Sequence, residues 1–167
     1  EELLSPLMSA DTSWKLILAP HEIHASHLSD IKRLFPNALL YSQLATYEQQ
    51  QIRDAQILVI DNIGMLSALY YYADVAYIGG GFGVGIHNTL EAATYGIPVV
   101  FGPKYEKFKE AEDLVTIMAG FSISNQYELK TIFEELKDEG KRKEFGLAAK
   151  KYVQQNAGAT QIIMKYI

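Results

Sequence analysis

The run Gly79-Gly80-Gly81-Phe82-Gly83-Val84-Gly85-Ile86-His87-Asn88-Thr89-Leu90-Glu91 holds five glycines, a histidine, an amide and a carboxylate in one short stretch. Glycine lets a backbone turn sharply and come close to a ligand. An apolar strand pattern, Val75–Gly79, leads into the run and a helical pattern leaves it, so the glycines occupy a strand-to-helix turn. A helix start offers unpaired N–H groups and the positive end of a dipole, which suits an anion. No G-x-G-x-x-G register fits these glycines, and neither Lys-Ser nor Lys-Thr follows them. The loop therefore points to a phosphate, but not to NAD or to the triphosphate of a P-loop enzyme. The competing reading is a strand-to-helix turn that holds no ligand.

The polar residues of the run also carry two readings each. Asn88 and Glu91 stand at the spacing of a capping box, in which each side chain satisfies a backbone N–H at a helix start. Alternatively, the Glu91 carboxylate accepts from two ribose hydroxyls, a role its two oxygens suit. His87 either donates to a phosphate oxygen or packs the loop. Lys104, Lys107 and Lys109 follow a later strand, where one can reach an anionic ligand while the others stay solvated. His21, Glu22, His24 and His27 are crowded together, but the HExxH spacing is absent and there is no cysteine, so no metal is expected. His24 and His27 fall on the exposed first turn of a helix. His21 differs, since it follows a strand directly.

The elements that must position these groups are legible from pattern. Short β-branched runs at Lys15–Ala19, Ala38–Tyr41, Gln56–Ile60, Val75–Gly79, Pro98–Phe101 and Gly120–Ile123 are apolar on both faces, as in a parallel sheet covered by helices. Helical stripes lie between them: Leu28, Ile31, Leu34 and Phe35; Leu66, Leu69, Tyr70 and Ala73; Phe108, Ala111, Leu114, Val115 and Met118; Leu129, Ile132, Phe133 and Leu136. Two more helices are expected over Lys141–Asn156 and Ala159–Ile167, broken at Asn156–Gly158. This alternation predicts an α/β fold, a Rossmann-like three-layer parallel sheet with helices on both faces. Ligands of such sheets bind at the carboxyl ends of the strands. Those ends carry His21 and Glu22, Asp61 and Asn62, the glycine loop, and Gly102–Lys104.

Composition narrows the partners. The chain has 167 residues, no cysteine and a formal net charge of −5, with about half its residues apolar. One domain is expected, without disulfides. The acidic balance argues against a nucleic-acid polymer. No apolar stretch is long enough to span a bilayer, and Glu1-Glu2 does not open a signal peptide.

From Gly79 to Pro103 the chain resembles a known family. The stretch Gly-Gly-Gly-x-x-x-Gly-Ile-His-Asn-x-Leu-Glu-Ala-Ala-x-x-Gly-Ile-Pro-Val-Val-Phe-Gly-Pro is similar to the signature of 3-deoxy-D-manno-octulosonic acid (Kdo) transferases. So are Leu16–Glu22, Ile60–Leu66, Tyr71–Gly80, Phe108-Lys109-Glu110 and Gln155–Ala159. The resemblance implies the C-terminal, donor-binding half of a GT-B glycosyltransferase. It implies CMP-Kdo as donor and inverting transfer to a lipid A precursor of lipopolysaccharide, with neither a cofactor nor a metal. The acceptor and the catalytic base belong to an N-terminal domain expected to be absent here, so no catalytic residue is assigned to this chain. The sheet strand that precedes Glu1–Ala10 in the family is likewise not found. Membrane contact, at the cytoplasmic face of the bacterial inner membrane, is expected only of the full-length enzyme, with the fragment itself soluble. By the same analogy Asn88 and Glu91 contact the CMP ribose and phosphate, while Gly81, Gly83, Gly85 and His87 line the phosphate and Kdo. His21 takes the place of a family arginine, and Lys104 that of a histidine.

Two other classes compete. One is a GT-B half for a UDP-sugar, or a nucleotide-sugar epimerase of that fold; a retaining member places a further glutamate where Gly83 stands. The other is a non-catalytic α/β module such as a receiver, which needs an acidic cluster that this chain lacks.

Overall fold

The computed structural model describes residues 1–83, 85–158, 163, 164 and 166. The chain divides into two compact units, Glu1–Ala68 and Leu69–Ile167. In the first unit, α1 (Leu4–Ala10), β1 (Leu16–Leu18), α2 (Ala25–Leu34), β2 (Leu39–Leu40), a 3-10 turn (Tyr41–Thr46), α3 (Gln49–Asp54) and β3 (Ile57–Val59) follow in order. After α4 (Leu66–Leu69) at the junction comes another 3-10 turn (Tyr70–Tyr72). The second unit continues through β4 (Ala76–Ile78), α5 (Leu90–Thr94), β5 (Val99–Phe101), α6 (Lys109–Thr116), β6 (Gly120–Ser122), α7 (Gln126–Glu135) and α8 (Glu139–Asn156). All six strands lie inside the segments that the sequence predicts. The expected helix Ala159–Ile167 falls largely outside the described residues.

Among the described residues every strand pair is parallel. The strands hydrogen-bond as two three-stranded sheets, ordered β1-β3-β2 and β4-β5-β6. The central strands carry the most apolar runs. Val99, Val100 and Phe101 of β5 are wholly buried, as is Val59 of β3. A strand bonded on both edges and covered on both faces has no use for a polar side chain, which is why alternation is missing from these segments. Helix stripes complete each core. Leu4, Leu7, Met8, Ile31 and Phe35 are buried in the first unit. In the second, Ala92, Ala93, Ala111, Leu114 and Ala149 join Ala76, Ile78, Val99 and Phe101 in one cluster.

Local chemistry sets the helix boundaries. His24 caps α2, its Nδ1 accepting from the His27 N–H at 3.3 Å. Its Nε2 lies 2.7 Å from Glu22, whose carboxyl this contact holds below its ordinary range. Asn125 caps α7 by accepting from the Glu128 N–H. Helix α8 starts two residues before the expected Lys141, because the Asp138 carboxylate accepts from the Lys141 N–H at 2.9 Å and so closes an earlier turn. Asp113 on α6 ties that helix to α8. It takes the Tyr152 hydroxyl at 2.8 Å and the Lys109 ammonium at 2.8 Å. Burial, then Asp113 itself, pushes the Tyr152 hydroxyl up to about 12.

Asp61, at the carboxyl end of β3, is engaged by the fold. Its two oxygens accept from the backbone N–H (2.8 Å) and the hydroxyl of Ser42, in the first half of the 3-10 turn after β2. Burial alone raises its pKa, but the Ser42 hydrogen bonds outweigh it, and Lys32 adds to the lowering. A carboxylate held below its unfolded value of about 3.9 stabilises above that pH and ceases to as pH falls through the lowered value. Asp61→Asn is therefore expected to cost about 1 kcal/mol at pH 7, the scale of a charged hydrogen bond in a partly exposed place. In urea denaturation series, the difference from the unaltered chain should shrink steadily below about pH 4.

Candidate functional site

The glycine loop is a small hairpin. Gly81 N–H donates to Gly85 O at 3.0 Å and His87 N–H to Gly79 O at 3.3 Å, so Gly80 and Ile86 pair as an antiparallel bridge. Phe82 and Gly83 lie at the tip; Val84 is outside the described residues. Gly80 and Gly81 hold φ of +91° and +81°. A Cβ on Gly81 would stand 2.8 Å from the Gly102 backbone, and one on Gly80 2.5 Å from Gly85 O. The Gly85 position is filled by the Phe108 ring, 2.5 Å from where a Cβ would be. These three glycines are thus required by the protein's own packing. Gly83 differs: it is exposed, its φ is not in the left-handed region, and nothing lies within 4 Å of its Cβ position. Of the three site glycines named from sequence, it is the one whose bareness the fold does not require.

Lys104 is tethered to this hairpin twice. Its backbone N–H donates to Gly81 O at 2.9 Å, and its ammonium donates to Gly83 O at 3.1 Å. The parallel pairing of β4 and β5 makes this possible, since both segments leave the same edge of the sheet. An ammonium has three protons, and this carbonyl takes one. A positive charge is therefore parked on the loop tip.

The helix beyond the loop is shorter than its pattern suggests. Helix α5 has five residues, and Gly96, at φ +71°, stops it. Its Leu90 N–H is taken by Asn88 Oδ1 at 2.9 Å. A single turn with a donor already engaged contributes little of the dipole and few of the amides expected of it. The anticipated capping box is only half met: Asn88 Oδ1 takes the Leu90 N–H, whereas among the described residues neither the Thr89 side chain at the cap position nor the Glu91 carboxylate bonds a backbone N–H. Glu91 instead accepts at Oε1 from the Asn88 side-chain amide at 3.1 Å. Both residues are exposed. Half-buried Tyr70 feels the Glu91 charge: burial raises its hydroxyl pKa first, and Glu91 adds to it.

Gly81, Gly83, Gly85, His87, Asn88, Glu91 and Lys104 all belong to the second unit, around the loop and the first turn of α5. His87 is exposed, with its Cδ2 3.8 Å from the Cβ position of Gly79. His21 belongs to the first unit, exposed just after β1. That unit also has a groove of about 650 Å3 at the opposite, amino ends of its strands, lined by Lys15, Asn37, Gln50 and Gln56 among others. Two of its polar groups already serve the fold. Lys15 donates to the Arg53 and Ala55 carbonyls, and Gln56 to those of Met8 and Asp11. Among the described residues no group of three or more His, Cys, Asp or Glu is placed to hold a metal ion. Among the same residues no helix is long and apolar enough to cross a membrane. Sequence reasoning missed the Asn88–Glu91 contact and the double tether of Lys104. The first needed the true helix start, and the second needed the pairing of two strands.

The glycines should separate on substitution. Gly81→Ala combines a left-handed backbone with a backbone clash and is expected to cost about 2 kcal/mol or more. Gly83→Ala should stay within about 0.5 kcal/mol. Chemical denaturation of both variants checks this; equal losses would mean that the tip is packed as tightly as the stem.

No protein-family model matches the chain. Its sequence is 31% identical over 127 residues, 75% of this chain, to the 3-deoxy-D-manno-octulosonic acid transferase of Aquifex aeolicus, covering 34% of that protein. It is 32% identical over 151 residues, 89% of this chain, to the transferase of the same description in Chlamydia muridarum, again covering 34%. The crystal structure of the C-terminal CMP-Kdo binding domain of WaaA from Acinetobacter baumannii superposes with a TM-score of 0.74. That match covers 92% of this chain and 80% of that one at 21% identity, and it shows the same Rossmann-like fold. The chain spans about a third of the length of the curated relatives it matches. By its sequence the chain belongs to the family of the 3-deoxy-D-manno-octulosonic acid transferases.

Proposed function

We propose that this chain is the donor-binding domain of such a transferase. It holds CMP-Kdo for inverting transfer of Kdo to a lipid A precursor in lipopolysaccharide assembly. The observation that carries the reading is the freedom of Glu91 from helix capping. Its carboxylate caps no backbone N–H and is aimed instead by a neighbouring amide. A carboxylate so held suits the ribose, because the oxygen that Asn88 leaves open can accept a charge-assisted hydrogen bond from a hydroxyl. The hairpin tip supplies the other half. Bare Gly83 admits a phosphate close to the backbone, and the Lys104 ammonium beside it balances the charge.

Those groups also account for the chemistry assigned to this half. When the bond between the Kdo anomeric carbon and the phosphate oxygen breaks, CMP leaves with its electrons. Lys104 and the loop amides stabilise the charge that gathers on the phosphate. The acceptor hydroxyl must lose its proton to a base, which this reading places in the domain that binds the lipid precursor. The full enzyme works at the cytoplasmic face of the inner membrane, where its acceptor is embedded. His21, His87 and Gly85 are assigned to the donor by resemblance alone.

Calorimetric titration with CMP, UMP and UDP tests the reading. CMP should bind, and Glu91→Gln should weaken it about tenfold or more, since one lost charged hydrogen bond amounts to about a decade. Thermal stability should stay nearly unchanged, because the carboxylate makes no cap. Tighter binding of UDP than of CMP would instead favour a UDP-sugar enzyme, and silence toward all three would leave a non-catalytic module. The isolated chain should transfer no Kdo to lipid A precursor in a product assay; turnover by this chain alone would place the base within it.

A further inference from the structure

The assignment of Glu91 to a ribose leaves the work of Asn88 open, and its two hydrogen bonds settle which groups it offers. The Leu90 N–H is a donor and must face the amide oxygen, at 2.9 Å. That turns the amide nitrogen toward Glu91, where Oε1 accepts at 3.1 Å. A carboxylate can only accept, so the orientation is dictated by chemistry at both ends. Each end of the Asn88 amide thus makes one bond within the protein, and the bond to Glu91 restrains that carboxylate. An exposed glutamate on the first turn of a short helix has three rotatable bonds and would otherwise sample many rotamers.

We infer that Asn88 is a positioning residue: it does not bind the donor itself but fixes the rotamer of Glu91, holding Oε1 so that Oε2 faces the ribose 2′-hydroxyl. Through Leu90 it also seats the turn that carries Glu91. This rests on the ribose role proposed for Glu91 and extends it. The assignment departs from the direct contact with donor that resemblance gives Asn88. A direct phosphate contact and a positioning contact have different signatures. Loss of a phosphate contact weakens every nucleotide equally. Loss of positioning weakens only those that present the 2′-hydroxyl.

The test is titration of CMP and 2′-deoxy-CMP against the unaltered chain, Asn88→Ala, Asn88→Ser and Glu91→Gln. Serine keeps an acceptor for the Leu90 N–H but cannot reach Glu91, so it guards against a variant that merely unfolds the turn. The unaltered chain should prefer CMP about tenfold, the worth of one charge-assisted hydrogen bond. Both Asn88 variants should bring that preference to about twofold or less, as Glu91→Gln does, with affinity for 2′-deoxy-CMP nearly unchanged. A preference that survives in Asn88→Ser while it collapses in Glu91→Gln overturns the positioning role alone. Parallel weakening of both nucleotides overturns it in favour of a phosphate contact. Equal binding of the two nucleotides by the unaltered chain overturns the ribose role of Glu91 and the positioning role together.

Discussion

Two stretches of backbone, Gly80–Gly81 after β4 and Gly102 after β5, lie closer than any side chain would allow. A Cβ on Gly102 would stand 2.5 Å from the Gly80 carbonyl oxygen. The Lys104 N–H donates to Gly81 across the same seam. This contact lets the chain leaving β4 fold back as a hairpin rather than run directly into a helix. It also explains why the hairpin tip and Lys104 share one place. Both strands run parallel and end together, so the segments beyond them are forced into proximity. Only glycine on both sides converts that proximity into contact.

From this seam the groups of the site divide their work. Gly80, Gly81 and Gly85 serve the protein itself, the last by admitting the Phe108 ring. Gly83 stands open at the tip, with a lysine on its carbonyl. A mobile cation held near a flexible loop would lose entropy on meeting an anion. Lys104 is anchored by its own backbone and side chain before any ligand arrives, which reduces that loss. The brevity of α5 makes this charge matter more, because a one-turn helix supplies only a small part of a helix dipole. Glu91 is likewise aimed in advance, by Asn88. The two charged groups of the site are both restrained by the loop or by the turn that follows it.

The periodicity of the chain by itself determined the α/β class, six strands in their places, and most of the helices between them, though not α3, which buries no residue and so shows no apolar stripe. The reason is physical: a strand covered on both faces must be apolar throughout, and a helix on a sheet must show one apolar stripe. Both demands are written in local runs such as Val99–Phe101 and the Phe108–Met118 stripe. The glycine run and its motif also sufficed to name a family. What only the tertiary structure decided were the relations between segments distant in sequence. Asn88 and Glu91 stand three apart, yet their spacing fits a capping box as well as the side-chain pair that forms, because a difference of one residue in the helix start exchanges the two. The choice among glycines was equally hidden: all five look permissive in the sequence, while Gly102, which excludes side chains at Gly81, is brought there only by strand pairing. Local patterns carry the information on burial, since burial acts on each residue's own surface; the close approach of two backbones exists only once the sheet has formed.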